Sequence, residues 1–274
     1  MTKRAAFIMD SINNMNPWEM VLAHRYFEAV SEYDKLLSRD LSDEDRAGYL
    51  AGEANAFLCL GRLEEALVGY QHANELTTIP VYGKYRPYLN DVGVVQWLLG
   101  NKAAGIQTLR QSIIGIIKGK IKYADNAGGV SQGVLLWYAG LTAGDSAAQN
   151  EALAYLKRLG SRAQAEFWPG PLARFAIGSL RFAEVLHKLA KTSDLDECIH
   201  IARTDLLRRR RLCQALFYDG VQQRAQGDNV GCLKRMKECN ALENPILELE
   251  WYLARAEVQS NDRLDQPPDR GHRA

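Results

Sequence analysis

A two-helix pattern that recurs along the chain constrains its fold more than any other feature. It is clearest from Leu50 to Leu76, LAGEANAFLCLGRLEEALVGYQHANEL. Leu50, Ala54, Phe57 and Leu60 fall on one face of a predicted helix, Gly61 and Arg62 make a corner, and Ala66, Tyr70 and Ala73 fall on one face of a return helix. Small residues at Ala54 and Ala66 let the two helices cross closely, with aromatic rings filling the space beside them. Such a pair cannot bury its apolar face alone and must stack on copies of itself. A second copy follows, in which Leu89, Val92, Gly93, Leu99, Gly100 and Leu109 repeat the pattern of Leu50, Glu53, Ala54, Leu60, Gly61 and Tyr70. The corner glycines are 39 residues apart, and the stretch Thr77–Pro87, with Pro80, Tyr82, Tyr85 and Pro87, reads as an insertion in the connecting loop. A third copy has Gly133, Trp137 and Gly140 in its first helix and Ala147–Leu159 as its return. In the fourth, Leu216, Gly220, Gly227, Cys232, Met236 and Cys239 form the same ladder, with Asn244-Pro245 as terminator.

The remaining segments fit around these units. Residues 1–15 read as an irregular lead-in. Asn16-Pro17 starts a helix, since Asn caps free amides and Pro in the first turn loses no hydrogen bond. Its expected buried face is Met20, Ala23, Phe27, Val30 and Leu37, broadened by Tyr26 and Tyr33. Ser42–Asp45 resembles a capping box. Lys118–Tyr123 is basic and reads as a solvated connection. Phe167–Pro171 is the clearest break, with two prolines and a glycine. A helical stretch kinked at Gly178 follows it, then a short helix capped by Thr192-Ser193. Glu248–Val258 is expected as a final helix that caps the stack, and 259–274 lacks the apolar content to fold. No stretch alternates as a strand would, and the glycines sit at helix corners.

The recurring pattern resembles the tetratricopeptide repeat (TPR), a helix–turn–helix of about 34 residues. Large apolar, small, aromatic, Gly, Ala, aromatic and Ala fall at the family's offsets, with the closing proline displaced to Pro80. The resemblance implies an all-α, TPR-like solenoid of about twelve helices in a right-handed superhelical stack. The expected boundaries are one domain over 16–258, with units near 47–78, 86–118, 125–160 and 205–243, a break at 167–171, and disorder over 259–274. Two further resemblances concern function. Trp168-Pro169, Phe175, Gly178, Glu184–Leu186, Phe217–Gly220 and Gly227-Asp228 are similar to the C-terminal half of the enterobacterial TPR outer-membrane lipoprotein family. That family works as an adaptor that delivers substrates to a periplasmic protease and scaffolds cell-wall hydrolases. The segment Glu248–Glu257 and the corner around Phe217-Tyr218 resemble cytoplasmic TPR-type immunity proteins of bacterial toxin systems. Both imply a bacterial, non-catalytic, partner-binding protein.

Composition narrows the partners. The formal charge is +1, from 34 basic and 33 acidic residues, which argues against nucleic acid. The five cysteines, Cys59, Cys198, Cys213, Cys232 and Cys239, contain no CxxC pair and read as reduced and structural. The N-terminal apolar run AAFIM is too short for a signal sequence, and no stretch approaches a membrane span. The expected location is the cytoplasm.

No catalytic motif emerges. The histidines His24, His72, His187, His200 and His272 lack metal spacing and are expected as partly exposed helix residues. Gly115–Lys120 ends in GK without the rest of a phosphate loop. Glu64-Glu65 and Glu248/Glu250 point their members in different directions on a helix, so they read as solvated faces. The run Arg208–Arg211 either spreads around a helix and pairs with neighbours such as Asp205, or binds phosphate or an acidic surface. The sequence therefore predicts no enzyme activity, no cofactor and no metal. In a TPR stack the first helix of each unit lines a concave face, which places Asn55, Asn90, Trp97, Trp137, Tyr138, Phe217 and Arg224 in a partner-binding groove. Trp, Tyr and Arg often carry binding energy. The alternative for both tryptophans is core packing between helices. Ala51 stands where chaperone-binding TPR domains carry a clamp lysine, which disfavours a chaperone tail as partner. The expected function is that of an immunity protein occluding a cognate toxin, or else an adaptor recruiting client proteins to a protease or cell-wall enzyme.

Overall fold

The computed structural model describes residues 15–77, 84–122, 125–242 and 248–264. The expected lead-in up to Asn14, most of the insertion around Pro80 and the Asn244-Pro245 terminator lie outside the described residues. The chain divides into two compact units, Met1–Ala124 and Asp125–Ala274. No described helix is long and apolar enough to cross a membrane.

The first unit opens with α1 (Pro17–Leu22), and its N-terminus forms as the sequence predicts. The Asn16 side chain accepts from the Glu19 amide at 2.9 Å, and Glu19 accepts from the Asn16 amide at 2.8 Å. The expected single helix then breaks at His24, which takes φ 61° and is held there by its ring nitrogen against the Tyr26 hydroxyl at 2.7 Å. The break resets the helical phase. In α2 (Tyr26–Leu37) the buried residues are Ala29 and Tyr33, and Phe27, expected inside, is 73% exposed.

Ser42 caps α3 (Asp43–Leu60) by accepting from the Asp45 amide. Gly61 turns the chain into α4 (Leu63–Leu76). Helix α3 packs against both α2 and α4, so its buried set is Ala47, Ala51, Gly52, Ala54, Ala56 and Leu58, wider than one face and offset from the expected Leu50 and Phe57. Small residues allow both contacts: a Cβ on Gly52 would meet the Tyr33 ring at 2.4 Å, and one on Gly69 would meet the Ala54 Cβ at 2.9 Å. Helices α5 (Leu89–Leu98) and α6 (Lys102–Ile117) form the second hairpin, which crosses so tightly that a Cβ on Gly105 would stand 2.7 Å from the Gly93 carbonyl oxygen. Residues Lys84–Tyr85 (β1) and Ile121–Lys122 (β2) pair in parallel. The stretch expected as a solvated connection thus contains a strand residue, Ile121, whose side chain covers the space above Gly115.

The second unit starts at Asp125, whose carboxylate gathers the amides of Ala127 and Gly129 ahead of α7 (Val130–Ala143). Helix α8 (Ser146–Gly160) returns against α7. A 3-10 turn (Ala163–Glu166) and a cis Trp168-Pro169 bond lead into α9 (Gly170–Ala176). A turn at Gly178 then separates α9 from α10 (Phe182–Ala190), making the expected kink a full break. Next come α11 (Leu195–Ala202), capped by Asp194, α12 (Leu206–Ala225), capped by Asp205, and α13 (Asn229–Asn240), capped by Asp228. The last helix, α14 (Leu249–Leu264), runs past the expected end at Val258 into the stretch read as disordered.

The hairpins α3–α4, α5–α6, α7–α8 and α12–α13 turn at Gly61, Gly100, Gly144 and Gly227, with φ of 74°, 83°, 70° and 85°. Left-handed backbone is where glycine carries no Cβ penalty, so these residues end one helix and aim the next. In the second unit α12 is the hub, touching α7, α9, α10, α11, α13 and α14. Among the described residues the chain is helical apart from turns and the two-residue strand pair.

Candidate functional site

Most of the residues expected to line a groove lie inside the protein. In the first unit, Asn55 accepts from the Tyr70 hydroxyl at 2.6 Å, Asn90 is half-buried with its Oδ1 lacking a hydrogen-bond partner, and Trp97 is buried with the Lys102 ammonium 5.1 Å from its ring centroid. In the second unit, Trp137 is 1% exposed and stacks on Tyr218 with ring centroids 6.4 Å apart. Tyr138 and Phe217, also buried, meet edge to face at 4.9 Å. The reason is the hub position of α12: helices pack on several sides of it, so Phe217 and Tyr218, adjacent in sequence with ring centroids 5.2 Å apart and edge to face, are both buried.

Arg224 is also structural. Its Nη1 and Nη2 donate to Glu257 Oε1 and Oε2, each at 2.9 Å, and Nη1 also reaches Thr142 Oγ1 at 2.8 Å. The Tyr138 hydroxyl donates to the same Glu257 at 2.9 Å. This ties α7, α12 and α14 together, and the hydrogen bond to Glu257 raises the Arg224 pKa above its ordinary value. The second unit therefore brings Tyr138, Phe217 and Arg224 together as expected, but as an internal clamp instead of a reading surface.

The arginine run divides in the same way. Arg208 faces Asp205 at 3.4 Å. Arg209 donates to the carbonyls of Ala202 and Arg203, closing the C-terminus of α11. Arg210 meets Glu248 at 2.5 Å. Arg211 lies over the Trp168 ring, with its Nε buried and unpartnered. Nor are Glu248 and Glu250 a solvated face: both are buried. Glu250 accepts from the Tyr218 hydroxyl at 2.8 Å, and burial raises its pKa in spite of that bond and of Gln214 and Arg210 nearby. Gln214 in turn accepts from the Trp168 indole at 2.6 Å. A long polar side chain reads as surface in sequence unless its partner is known, and these partners lie 32 to 46 residues away.

Two features carried no signal that sequence reasoning used. Asp34 on α2 hydrogen-bonds Glu53 on α3, and burial, followed by that carboxyl neighbour, pushes the Glu53 pKa up to about 7. The second feature is a half-open cavity of about 610 Å³ walled by α11, α12 and α13. Ile199, Ala202, Ala241 and Leu242 supply its apolar wall; Arg203, Arg209 and Glu238 supply its polar one. Glu238 is held by Arg235 at 2.6 Å. Arg203 is exposed and has no carboxylate partner among the described residues. Leu206 and Leu207, at the start of α12, are 42% and 53% exposed. Two adjacent leucines just after a capping Asp are the signal that was available.

The four described histidines are exposed, with His24 in a turn instead of a helix. Among the described residues, no three His, Cys, Asp or Glu side chains cluster as metal ligands would. No family model, curated protein or solved structure matches this chain.

Proposed function

We propose that the chain is a TPR-like helical-repeat protein that acts by binding another protein, most concretely as a bacterial immunity protein that occludes a cognate toxin. Four glycine-closed hairpins with close-packed small residues support the repeat reading. The observation that carries the binding role is the face at α11–α13. There, uncovered Leu206 and Leu207 lie close in the chain to exposed Arg203 and to the cavity wall. Solvent-exposed leucines, and a ligand-sized cavity whose wall lies near them in the chain, support an interaction surface here. Occlusion needs only a complementary surface, so this reading asks for no catalytic group. The partner segment that fits is apolar with an acidic group placed to meet Arg203.

The test is co-expression of the tagged protein with the products of neighbouring genes. The expected result is one stoichiometric partner whose toxicity is suppressed, with suppression lost in Leu206→Glu/Leu207→Glu at unchanged circular dichroism. Many weak, salt-sensitive partners would replace immunity with an adaptor role. A toxin still neutralised by the double variant would move the contact to another face.

A further inference from the structure

Cys213 and Cys239 face each other across the α12–α13 hairpin, with sulfur atoms 3.3 Å apart. Both are fully buried, and the Cys239 thiol also points at the Cys213 carbonyl at 3.4 Å. None of the five cysteines is in a disulfide. A disulfide places its sulfurs about 2.05 Å apart, so this pair needs to close by about 1.3 Å, between helices already joined at Gly227. Neither thiol lines the cavity of the α11–α13 face, whose wall includes residues near both of them in sequence. Arg209 lies one helical turn before Cys213, and Glu238 and Ala241 bracket Cys239.

We propose that Cys213 and Cys239 form a reversible redox site, at which a small peroxide converts the dithiol into a disulfide that staples α12 to α13. In the first step one cysteine sulfur attacks a peroxide oxygen. The O–O bond breaks, the sulfur becomes a sulfenic acid, and the departing hydroxide leaves as water with the thiol proton. In the second step the other sulfur attacks the sulfenic sulfur; the S–S bond forms and a second water leaves. Two thiols lose two electrons and two protons, and the peroxide is reduced to two waters. Burial, with Cys239, Glu248 and Glu250 adding to it, holds the Cys213 thiol protonated well above its ordinary pKa. The first step is therefore slow. The second is fast, because the resolving sulfur is already in contact, and the sulfenic acid is intercepted before a second peroxide arrives.

The test treats the purified full-length protein with hydrogen peroxide, alkylates it in denaturant and maps the peptides. The expected result is a loss of two alkylatable thiols out of five, a mass change of about −2 Da and a linked Cys213–Cys239 peptide, all reversed by dithiothreitol. Closing the loop between these residues should raise the melting temperature of the oxidised protein by about 5–10 °C. In Cys239→Ser, Cys213 should instead advance to the sulfinic acid. The wild-type map decides the matter if that variant does not fold. Five free thiols after peroxide, a crosslink through Cys59 between two copies, or separate sulfinic acids at Cys213 and Cys239 in the wild type would each overturn the proposal.

Discussion

The clamp between Arg224 and Glu257 gives the sharpest test of whether Arg224 is structural or reads a partner. The two side chains are 21% and 20% exposed, and two 2.9 Å hydrogen bonds join them as a fork. Replacing Arg224 by Met preserves most of the apolar stem but leaves the Glu257 carboxylate with the Tyr138 hydroxyl and without its countercharge. Breaking a fully buried pair costs about 3–5 kcal/mol, and one-fifth exposure reduces this, so about 2–3 kcal/mol is expected for Arg224→Met. Glu257→Gln should cost about 2 kcal/mol, because it leaves the guanidinium uncompensated. The double variant leaves no buried charge unpaired and should cost about 1–2 kcal/mol less than the sum of the singles, a coupling typical of groups in contact. Urea unfolding followed by circular dichroism measures all four corners of this cycle, with a constant slope confirming that the midpoint shift is a stability change. A loss below about 0.5 kcal/mol for Arg224→Met, or additive singles, would refute the clamp. Partner binding that collapsed at unchanged stability would return Arg224 to the surface role that its sequence position suggested.

Two further outcomes follow from the geometry. Trp137→Ala should destabilise the protein by about 3–5 kcal/mol, read as a lower urea midpoint, because a ring that is 1% exposed leaves a cavity against Tyr218; an unchanged midpoint would make Trp137 a surface residue. Glu53 has a folded-state pKa of about 7, above its ordinary 4.5, so the stability it contributes is fully present below pH 4.5 and is lost as pH rises through 7. Glu53→Gln should therefore match the parent in thermal melts near pH 4.5 and exceed it by about 1 kcal/mol at pH 8, the half-buried position keeping the gain small. Parallel pH profiles for the two proteins would exclude the Asp34–Glu53 pair as their cause.

Local sequence determined where helices start and turn. Asn16-Pro17, Ser42 and the corners at Gly61 and Gly100 are legible because capping and left-handed backbone depend on a few neighbouring residues whose chemistry is fixed by type. The hairpin pairs followed from these corners, as did the close crossings at small residues. Periodicity gave way where a helix is covered on more than one side: on α3 the buried set widened past Leu50 and Phe57, and on α2 the break at His24 moved Phe27 outward.

Only the tertiary structure decided which of these faces meet protein and which meet water. Spacing along one helix says which side chains share a face, and nothing about what packs there. Phe217 and the pair Glu248/Glu250 are buried, and Arg224 is partly buried, through contacts with distant segments, Arg224 with Thr142 and Glu257, Glu250 with Tyr218. The same contacts left Leu206 and Leu207 exposed on the hub helix, where residue type alone would have placed them inside. Helix ends are set by interactions across three or four residues and are written in the sequence; burial is set by interactions across tens of residues and exists only once the chain has folded.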